Sequence, residues 1–145
     1  STIEKIACEK AAIIKSKNQS VVIAAQNKKA FSVFMQRCRM FGIHPYDVRQ
    51  MIPIFVRQNL KSQEFNLKTK KSFYQNLKLP LLGRHQCWNA ATSIATIELL
   101  QNKGFQISED AIENGIKMFF GQGGLKFLIS KGAKLFWTPR IIPRR

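Results

Sequence analysis

The amino-acid sequence predicts an α/β fold, and three observations carry the prediction. Residues 21–25 form a short apolar, β-branched run with polar flanks, which is typical of a buried parallel strand. Apolar residues at helical spacing follow over 28–41, and a strand followed by a helix is the unit of an α/β sheet. The chain has 145 residues, 45% of them hydrophobic, which is enough for one domain with a core.

The first half of the chain alternates between predicted helices and strands. Apolar residues at three- and four-residue steps predict a helix over 2–14, with Thr2 as its cap. A strand over 20–25 and a helix over 28–41 follow, and Gly42 stands where a C-terminal cap belongs. This order predicts that the first helix precedes a strand–helix unit.

The second half contains a strand, a hairpin and two helices. A strand is expected over 43–48, and polar-faced strand patterns predict a β-hairpin over 64–78. A long helix over 86–103 ends at Gly104, and a short helix over 108–116 opens on a capping serine with two acidic residues behind it.

The charge of the chain is strongly positive and unevenly placed. Lysine and arginine number 24 against 8 acidic residues, a formal charge of +16, which raises the expectation of nucleic-acid or anionic membrane partners. Residues 120–145 contain six basic residues and no acidic one. We therefore predict two regions, a domain over 1–118 and a basic tail over 119–145.

Cysteine usage and hydropathy indicate a soluble cytoplasmic chain with no membrane partner. Cys8, Cys38 and Cys87 lie far apart without a C-x-x-C pair, so neither a zinc site nor a disulfide framework is indicated. No apolar run approaches the ~20 residues of a membrane helix, and the first residues lack the order of a signal peptide. Because the chain starts with Ser1 and not Met, we expect further sequence upstream.

Two segments carry a family resemblance. The first is IEKIACEKAAIIK at 3–15, followed by the strand VVIAA, and the second is LPLLGRHQCWNAATSIATIELLQNKGFQISEDAIENGI at 79–116. Together they resemble the folylpolyglutamate synthase and dihydrofolate synthase family, relatives of the Mur ligases, over residues 2–117. The resemblance implies the latter part of the central ATP-binding domain of that type, which has three layers around a mainly parallel sheet.

The resemblance also implies an activity. Members of the family are ATP-dependent amide ligases, in which ATP phosphorylates a carboxylate and the amine of L-glutamate attacks the acyl phosphate. A glutamate is thereby joined to folate or dihydropteroate. Magnesium and cationic side chains neutralise the transferring phosphoryl group in such chemistry. The family implies a monomeric parent enzyme, with ATP and magnesium as its cofactors.

Lys10 is the catalytic and metal-binding candidate that the resemblance implies. It lies in CEKAA and matches the lysine of the family's EKAGI motif, which is carbamylated there. A carbamylated lysine presents a carboxylate-like pair of oxygens, which suits magnesium. Without the family context, Lys10 would be interpreted as a solvated helix lysine. The family's glycine in this motif is Ala12 here, a departure that could crowd a turn.

Three residues of the second segment are the nucleotide-binding candidates. Asn89 matches the family's asparagine beside the nucleotide, where an amide can pair with an adenine edge. His85 and Gln86 match positions that shape the same loop. The alternative from the residues alone is an exposed Asn89 in a first helical turn and His85 as a helix cap. His44 has no motif around it and is assigned no role.

Several family motifs are absent from the sequence. No G-x-x-G-K-[ST] phosphate loop is present, and the glycine cluster at 121–124 lacks the following lysine and hydroxyl residue. The family's W-P-G-R and A-H-N-P motifs are missing as well. With suitable codons, a shifted reading frame over the tail spells LWPGRFE and LDSAHNPAA. We therefore expect an internal fragment, inactive alone, with a frameshift near 117–120, the alternative being a genuine basic extension.

Two other hypotheses remain open at this point. In the first, the chain is a small basic nucleic-acid-binding protein on a remnant ligase scaffold. Its binding surface would consist of Lys61, Lys68, Lys70, Lys71, the tail and the interleaved aromatics Phe65, Phe73 and Tyr74. The alternative is that these aromatics form one face of a hairpin, and this interpretation argues against nucleic acid as a partner. In the second, the chain complements a separately encoded half that carries the phosphate loop.

Overall fold

The computed structural model describes residues 2–119, which divide into two compact units, residues 2–48 and residues 49–119. Helices and strands alternate in the first unit, and three strands followed by two helices form the second, so the chain has the α/β class that the sequence predicts. The basic tail predicted over 119–145, with its frameshift hypothesis, lies outside the described residues apart from Phe119, the last residue of a helix. Within residues 2–119, no helix is long and apolar enough to cross a membrane.

The first unit contains the four elements that the sequence predicts. They are α1 (Ile3–Ala11), β1 (Val22–Ile23), α2 (Lys28–Met40) and β2 (Tyr46–Asp47). The two strands pair in parallel, with Val22 opposite Tyr46 and Ile23 opposite Asp47. Thr2 caps α1 as predicted, because its hydroxyl oxygen accepts from the backbone N–H of Lys5 at 3.2 Å.

Helix α1 ends three residues earlier than the predicted 2–14, and Gln19 supplies a physical reason. The Gln19 Oε1 accepts from the backbone N–H groups of Lys15 and Ser16 at 2.6 and 3.0 Å. Its Nε2 donates to the carbonyl of Ile13 at 3.2 Å. One side chain thus provides hydrogen-bond partners for three backbone groups after the helix, so that these groups are not left unpaired where the helix ends early.

Small side chains bring α1 and α2 close together in this unit. Ala7, Ala11 and Ala30 are buried between the helices, beside Phe34 and Cys38 of α2. Alanine at a helix contact allows a short separation and loses no side-chain entropy on burial. Burial raises the pKa of the Cys38 thiol, which keeps this cysteine protonated as part of the core.

The second unit contains a three-stranded antiparallel sheet. Its strands are β3 (Ile52–Gln58), β4 (Gln63–Lys68) and β5 (Phe73–Leu79), in the order β3-β4-β5. Strands β4 and β5 confirm the hairpin predicted over 64–78, whereas β3 was not predicted. In the described part of the chain antiparallel strands outnumber parallel ones, so the mainly parallel sheet that the resemblance implied is represented by the β1–β2 pair.

Helices α3 (Arg84–Asn102) and α4 (Glu109–Phe119) complete the second unit and match the two predicted helices. Gly104 follows α3 with φ +92°, a conformation that favours glycine, as its predicted role requires. The hydroxyl oxygen of Ser108 accepts from the backbone N–H of Ala111 at 3.2 Å, which confirms the predicted cap. Helix α4 packs against β5, over a core that includes Phe65, Leu67 and Leu77.

The outer face of the sheet carries an ion cluster that crosses all three strands. Arg57, Glu64 and Lys78 stand opposite one another in the strand register. Arg57 donates from Nε and Nη2 to the two Glu64 oxygens at 2.7 and 3.0 Å, and Lys78 Nζ lies 3.5 Å from Oε1. The Arg57 hydrogen bonds are the main cause that holds the pKa of Glu64 below its ordinary value of 4.5.

We expect this cluster to make the stability of the sheet acid-sensitive. A carboxyl whose pKa is lowered by folding stabilises the fold above its ordinary pKa of 4.5, and this stabilisation is lost as the pH falls through the lowered value. Thermal unfolding midpoints measured from pH 6 down to pH 2.5 should therefore fall less steeply in Glu64→Gln than in the unmodified chain. Glu113→Gln, on α4, serves as the control; equal slopes in all three proteins would contradict the prediction.

Candidate functional site

The structure brings three of the predicted site residues together on the first turns of α3. Asn89 Nδ2 donates to Gln86 Oε1 at 3.1 Å, and Gln86 Nε2 lies 3.1 Å from His85 Nε2. The donor and acceptor roles in the Gln86–His85 contact depend on the tautomer of the imidazole. His85 is exposed, and the other two side chains are half-buried. The three residues thus form one hydrogen-bonded chain at the surface.

Gly83 determines how this turn begins. It is the residue before α3, with φ +106° and ψ +142°, and its carbonyl accepts from the backbone N–H of Gln86 at 2.9 Å. No side chain caps the helix here, so the interpretation of His85 as a helix cap is wrong. The imidazole lies over Gly83 instead, because a Cβ added to the glycine would meet His85 Cε1 at 2.7 Å. Both the backbone angle and this contact require glycine.

Gln63, at the start of β4, holds the same turn from the sheet side and was not predicted as a site residue. Its Nε2 donates to the carbonyls of Leu81 and Gly83 at 2.7 and 2.9 Å. The side chain is buried, with only 1% of the residue exposed. A β-strand glutamine carries no sequence signal for this role, because its two partners lie 18 and 20 residues further along the chain.

Lys10 lies in the last turn of α1, in the first unit. Its side chain is half-buried and makes no hydrogen bond or ion pair with other residues in the described part of the chain. An ammonium group repels a magnesium ion, so Lys10 fits a metal only after carbamylation, which replaces the positive charge by an oxygen pair. Among residues 2–119, no three His, Cys, Asp or Glu side chains converge to offer a ready metal site.

The structure removes most of the aromatic surface on which the nucleic-acid hypothesis depended. Phe65 and Tyr74 are buried, with 0% and 5% of their surface exposed, and only Phe73 is accessible, at 49%. A buried ring cannot stack on a nucleotide base. The lysines of the hairpin therefore stand on a solvated surface without an interleaved set of aromatic platforms.

A buried carboxylate joins α3 to the hairpin at the far end of the helix from His85. Glu98 is 2% exposed, and its Oε1 accepts from Thr69 Oγ1 at 2.7 Å and from Tyr74 Oη at 3.3 Å. Burial, followed by the Glu98 carboxylate, raises the pKa of Tyr74 to about 12. This contact fixes α3 against the turn between β4 and β5, and thereby orients the helix whose other end carries His85.

A cavity of about 780 Å³ also lies at this far end, lined in part by Lys71, Gln101 and Ser108. Both polar atoms of the Gln101 side chain are hydrogen-bonded: Oε1 accepts from Lys71 Nζ at 3.0 Å, and Nε2 donates to the Ile107 carbonyl at 2.7 Å. Helix α3 has 19 residues and is therefore about 28 Å long. The cavity is thus remote from the hydrogen-bonded chain of predicted site residues.

The chain is similar in sequence and in structure to folylpolyglutamate synthases. The dihydrofolate synthase/folylpolyglutamate synthase of Bacillus subtilis is 32% identical over 117 residues, which are 79% of this chain and 27% of that enzyme. The folylpolyglutamate synthase of Thermotoga maritima superposes with a TM-score of 0.68 at 27% identity, over 81% of this chain and 27% of that one.

A folylpolyglutamate synthase complex with AMPPCP and folate superposes with a TM-score of 0.73 at 24% identity, over 81% of this chain and 29% of that one. No family model matches the chain. The chain thus spans about 27% of the length of the curated relative, and the similarity covers about four fifths of its own residues.

Proposed function

This chain is a relative of the folylpolyglutamate synthases over about four fifths of its length, and we propose that it carries one segment of an ATP-dependent carboxylate–amine ligase of that kind. In this reaction ATP phosphorylates the carboxylate of a folate or dihydropteroate. The amine of glutamate then attacks the acyl carbon, the new amide bond forms, and inorganic phosphate leaves. The segment proposed here supplies contacts to the nucleotide and a ligand to its magnesium ion.

The hydrogen-bonded chain of His85, Gln86 and Asn89 is the observation that carries this proposal. Asn89 uses one N–H on Gln86, which leaves its second N–H and its Oδ1 for another molecule. A side-chain amide with one donor and one acceptor free is complementary to adenine, which presents the N7 acceptor beside the N6 donor. The solved relative that contains AMPPCP supports an adenine nucleotide as the ligand.

Lys10 is proposed as the magnesium ligand, in its carbamylated form. Its amine is not engaged by other residues of the described chain and can therefore react with carbon dioxide once deprotonated. The carbamate would hold the cation that screens the transferring phosphoryl group.

The isolated chain is proposed to be inactive. Its 145 residues include no G-x-x-G-K-[ST] loop, and a triphosphate needs such a cradle of backbone N–H groups and a lysine. In the proposed enzyme, this loop and the glutamate-binding groups come from other parts of the polypeptide. The chain would thus contribute adenine recognition and a metal ligand, but no complete active site.

A chimaera tests the proposal. The 117 aligned residues of the Bacillus subtilis relative are replaced by those of this chain, and folate- and glutamate-dependent ATP hydrolysis is measured. We expect the chimaera to turn over. Asn89→Ala should raise its KM for ATP about tenfold, because losing one or two hydrogen bonds costs roughly 1–2 kcal/mol.

Asn102→Ala is the matched control, since Asn102 is the last residue of α3 and is exposed. Lys10→Arg should abolish turnover, because a guanidinium group cannot become a carbamate ligand, whereas Lys5→Arg on the same helix should not. The isolated chain should show no folate-dependent hydrolysis. Equal KM values for Asn89→Ala and Asn102→Ala would refute the nucleotide assignment, and turnover by the isolated chain would refute its proposed inactivity.

A further inference from the structure

Gln63 makes an unbalanced set of hydrogen bonds for a buried amide. Its Nε2 lies between two carbonyl oxygens, those of Leu81 and Gly83, at 2.7 and 2.9 Å. Because both neighbours are acceptors, the nitrogen must face them, and the orientation of the amide is fixed. The Oε1 is then left buried with no hydrogen-bond partner in the described part of the chain.

This arrangement is a poor source of stability. A buried acceptor without a donor costs about 1–3 kcal/mol, while a neutral hydrogen bond contributes only about 0.5–1.5 kcal/mol net. The two bonds of Nε2 and the unpaired Oε1 therefore roughly cancel, and the net contribution of the Gln63 amide to stability is small. What an apolar residue would not supply is the exact placement of the two carbonyls.

Those two carbonyls define the turn that opens α3. The Gly83 carbonyl also accepts from the backbone N–H of Gln86 at 2.9 Å, so Gln63 holds the first hydrogen-bonded group of the helix. Gly83 in turn underlies the His85 ring. A displacement of the turn by a fraction of an ångström would move His85 relative to Gln86. The hydrogen-bonded side chains of His85, Gln86 and Asn89 would then lose their alignment.

We infer that Gln63 is a positioning residue, which holds the Leu81 and Gly83 carbonyls and thereby aligns the side chains of His85, Gln86 and Asn89. It makes no hydrogen bond to any of the three side chains and acts through the backbone of the turn. Its relevance to nucleotide binding rests on the proposed function, whereas its effect on the turn does not.

The experiment uses nuclear magnetic resonance on the full chain, in which His44 and His85 are the two histidines, so that their ring signals are readily assigned. Gln63→Met keeps the length of the side chain and removes both donors. We expect loss of the nuclear Overhauser cross-peak between the Gln86 side-chain amide and the His85 ring. The His44 signals, which report on the first unit, should stay unchanged, and both Gln63→Met and the control should still unfold in one cooperative transition.

Gln58→Met is the control, because Gln58 is exposed and stands directly opposite Gln63 in the strand register. Gln63→Asn is the second variant, should Gln63→Met fail to fold; it keeps the amide but is one methylene too short to reach both carbonyls, and the cross-peak should again be lost. A cross-peak that survives in a folded variant overturns the inference, as does a loss that appears only together with general unfolding.

The chimaera separates this inference from the proposed function. If both hold, Gln63→Met raises the KM of the chimaera for ATP several-fold and leaves kcat nearly unchanged. The reason is that a misaligned Asn89 loses part of the nucleotide contact that Asn89→Ala removes entirely. If the cross-peak is lost while the KM for ATP is unchanged, Gln63 positions the turn and the nucleotide assignment of that turn is wrong. If the cross-peak is retained, the inference fails whatever the KM.

Discussion

Replacement of Glu98 by leucine is expected to lower the free energy of unfolding by about 2–4 kcal/mol. The carboxylate accepts from Thr69 and Tyr74 in a buried position. Leucine would leave the buried Tyr74 hydroxyl without this acceptor, at about 1–3 kcal/mol, and Thr69 with only the Ser72 carbonyl, at about 0.5–1.5 kcal/mol for the lost hydrogen bond. Glu98→Gln keeps an acceptor oxygen and should cost about 1 kcal/mol. Urea unfolding of the three proteins measures the order, with Glu113→Leu as a partly exposed control expected to change stability by less than about 0.5 kcal/mol.

The Glu98→Gln variant should also change the titration of Tyr74. Burial and the neighbouring carboxylate raise the pKa of its phenol to about 12, so folding favours the neutral phenol. The resulting stabilisation is complete below the ordinary value of 10 and is lost as the pH rises to about 12. In Glu98→Gln the repulsion from residue 98 is gone and the pKa should fall, although not to 10, because burial and the Glu109 carboxylate remain. Tyrosinate absorbance measures this pKa, and an unchanged titration would show that the Glu98 carboxylate does not contribute to it.

The helices were predictable because their signals are local. Thr2, Gly42, Gly104 and the serine at 108 lie within a few residues of the helix ends that they terminate, so capping chemistry can be recognised in a short window of sequence. The same holds for the hydrogen-bonded chain of side chains on α3, whose three members fall within five consecutive residues of the helix. A motif that is compact in sequence is compact in space when it is helical.

Strand β3 escaped prediction because its side chains do not alternate between core and solvent. Six of its seven residues are exposed, including Ile52, Ile54 and Val56, since it is an edge strand of its sheet. Pro53 within the strand argued further against it, although proline is tolerated on an edge strand, where a missing N–H can face away from the ladder. Only pairing with β4 reveals the strand, and pairing is a tertiary property.

Gln63 and Glu98 could not be predicted for a related reason. Each is a polar residue in a regular element, and its bonding partners lie 18 to 29 residues away in the sequence. Polar side chains in strands and helices usually face solvent, so a sequence pattern assigns them to the surface by default. Their burial follows from the docking of the β4–β5 hairpin against the ends of α3, which no local window encodes.

Replacement of Gly83 by alanine should disturb the His85 turn more than any other glycine substitution in α3 or its caps. Gly83 and Gly104 flank the same helix, both at positive φ, so alanine at either position costs about 1–3 kcal/mol in backbone strain. They differ in what the new methyl group meets. At Gly104 nothing lies within 4 Å, whereas at Gly83 the methyl carbon would stand 2.7 Å from His85 Cε1.

The comparison of Gly83→Ala with Gly104→Ala therefore separates strain from displacement. Both variants should show similar losses in chemical denaturation. Only Gly83→Ala should shift the His85 ring signals and lose the contact between His85 and Gln86, because the new methyl group displaces the imidazole from its position over residue 83. In the chimaera this variant alone should raise the KM for ATP, by about tenfold if the misaligned turn costs one hydrogen bond to the nucleotide. Equal effects of the two substitutions on His85 would mean that a general destabilisation of α3, and not the contact with Gly83, controls the position of the ring.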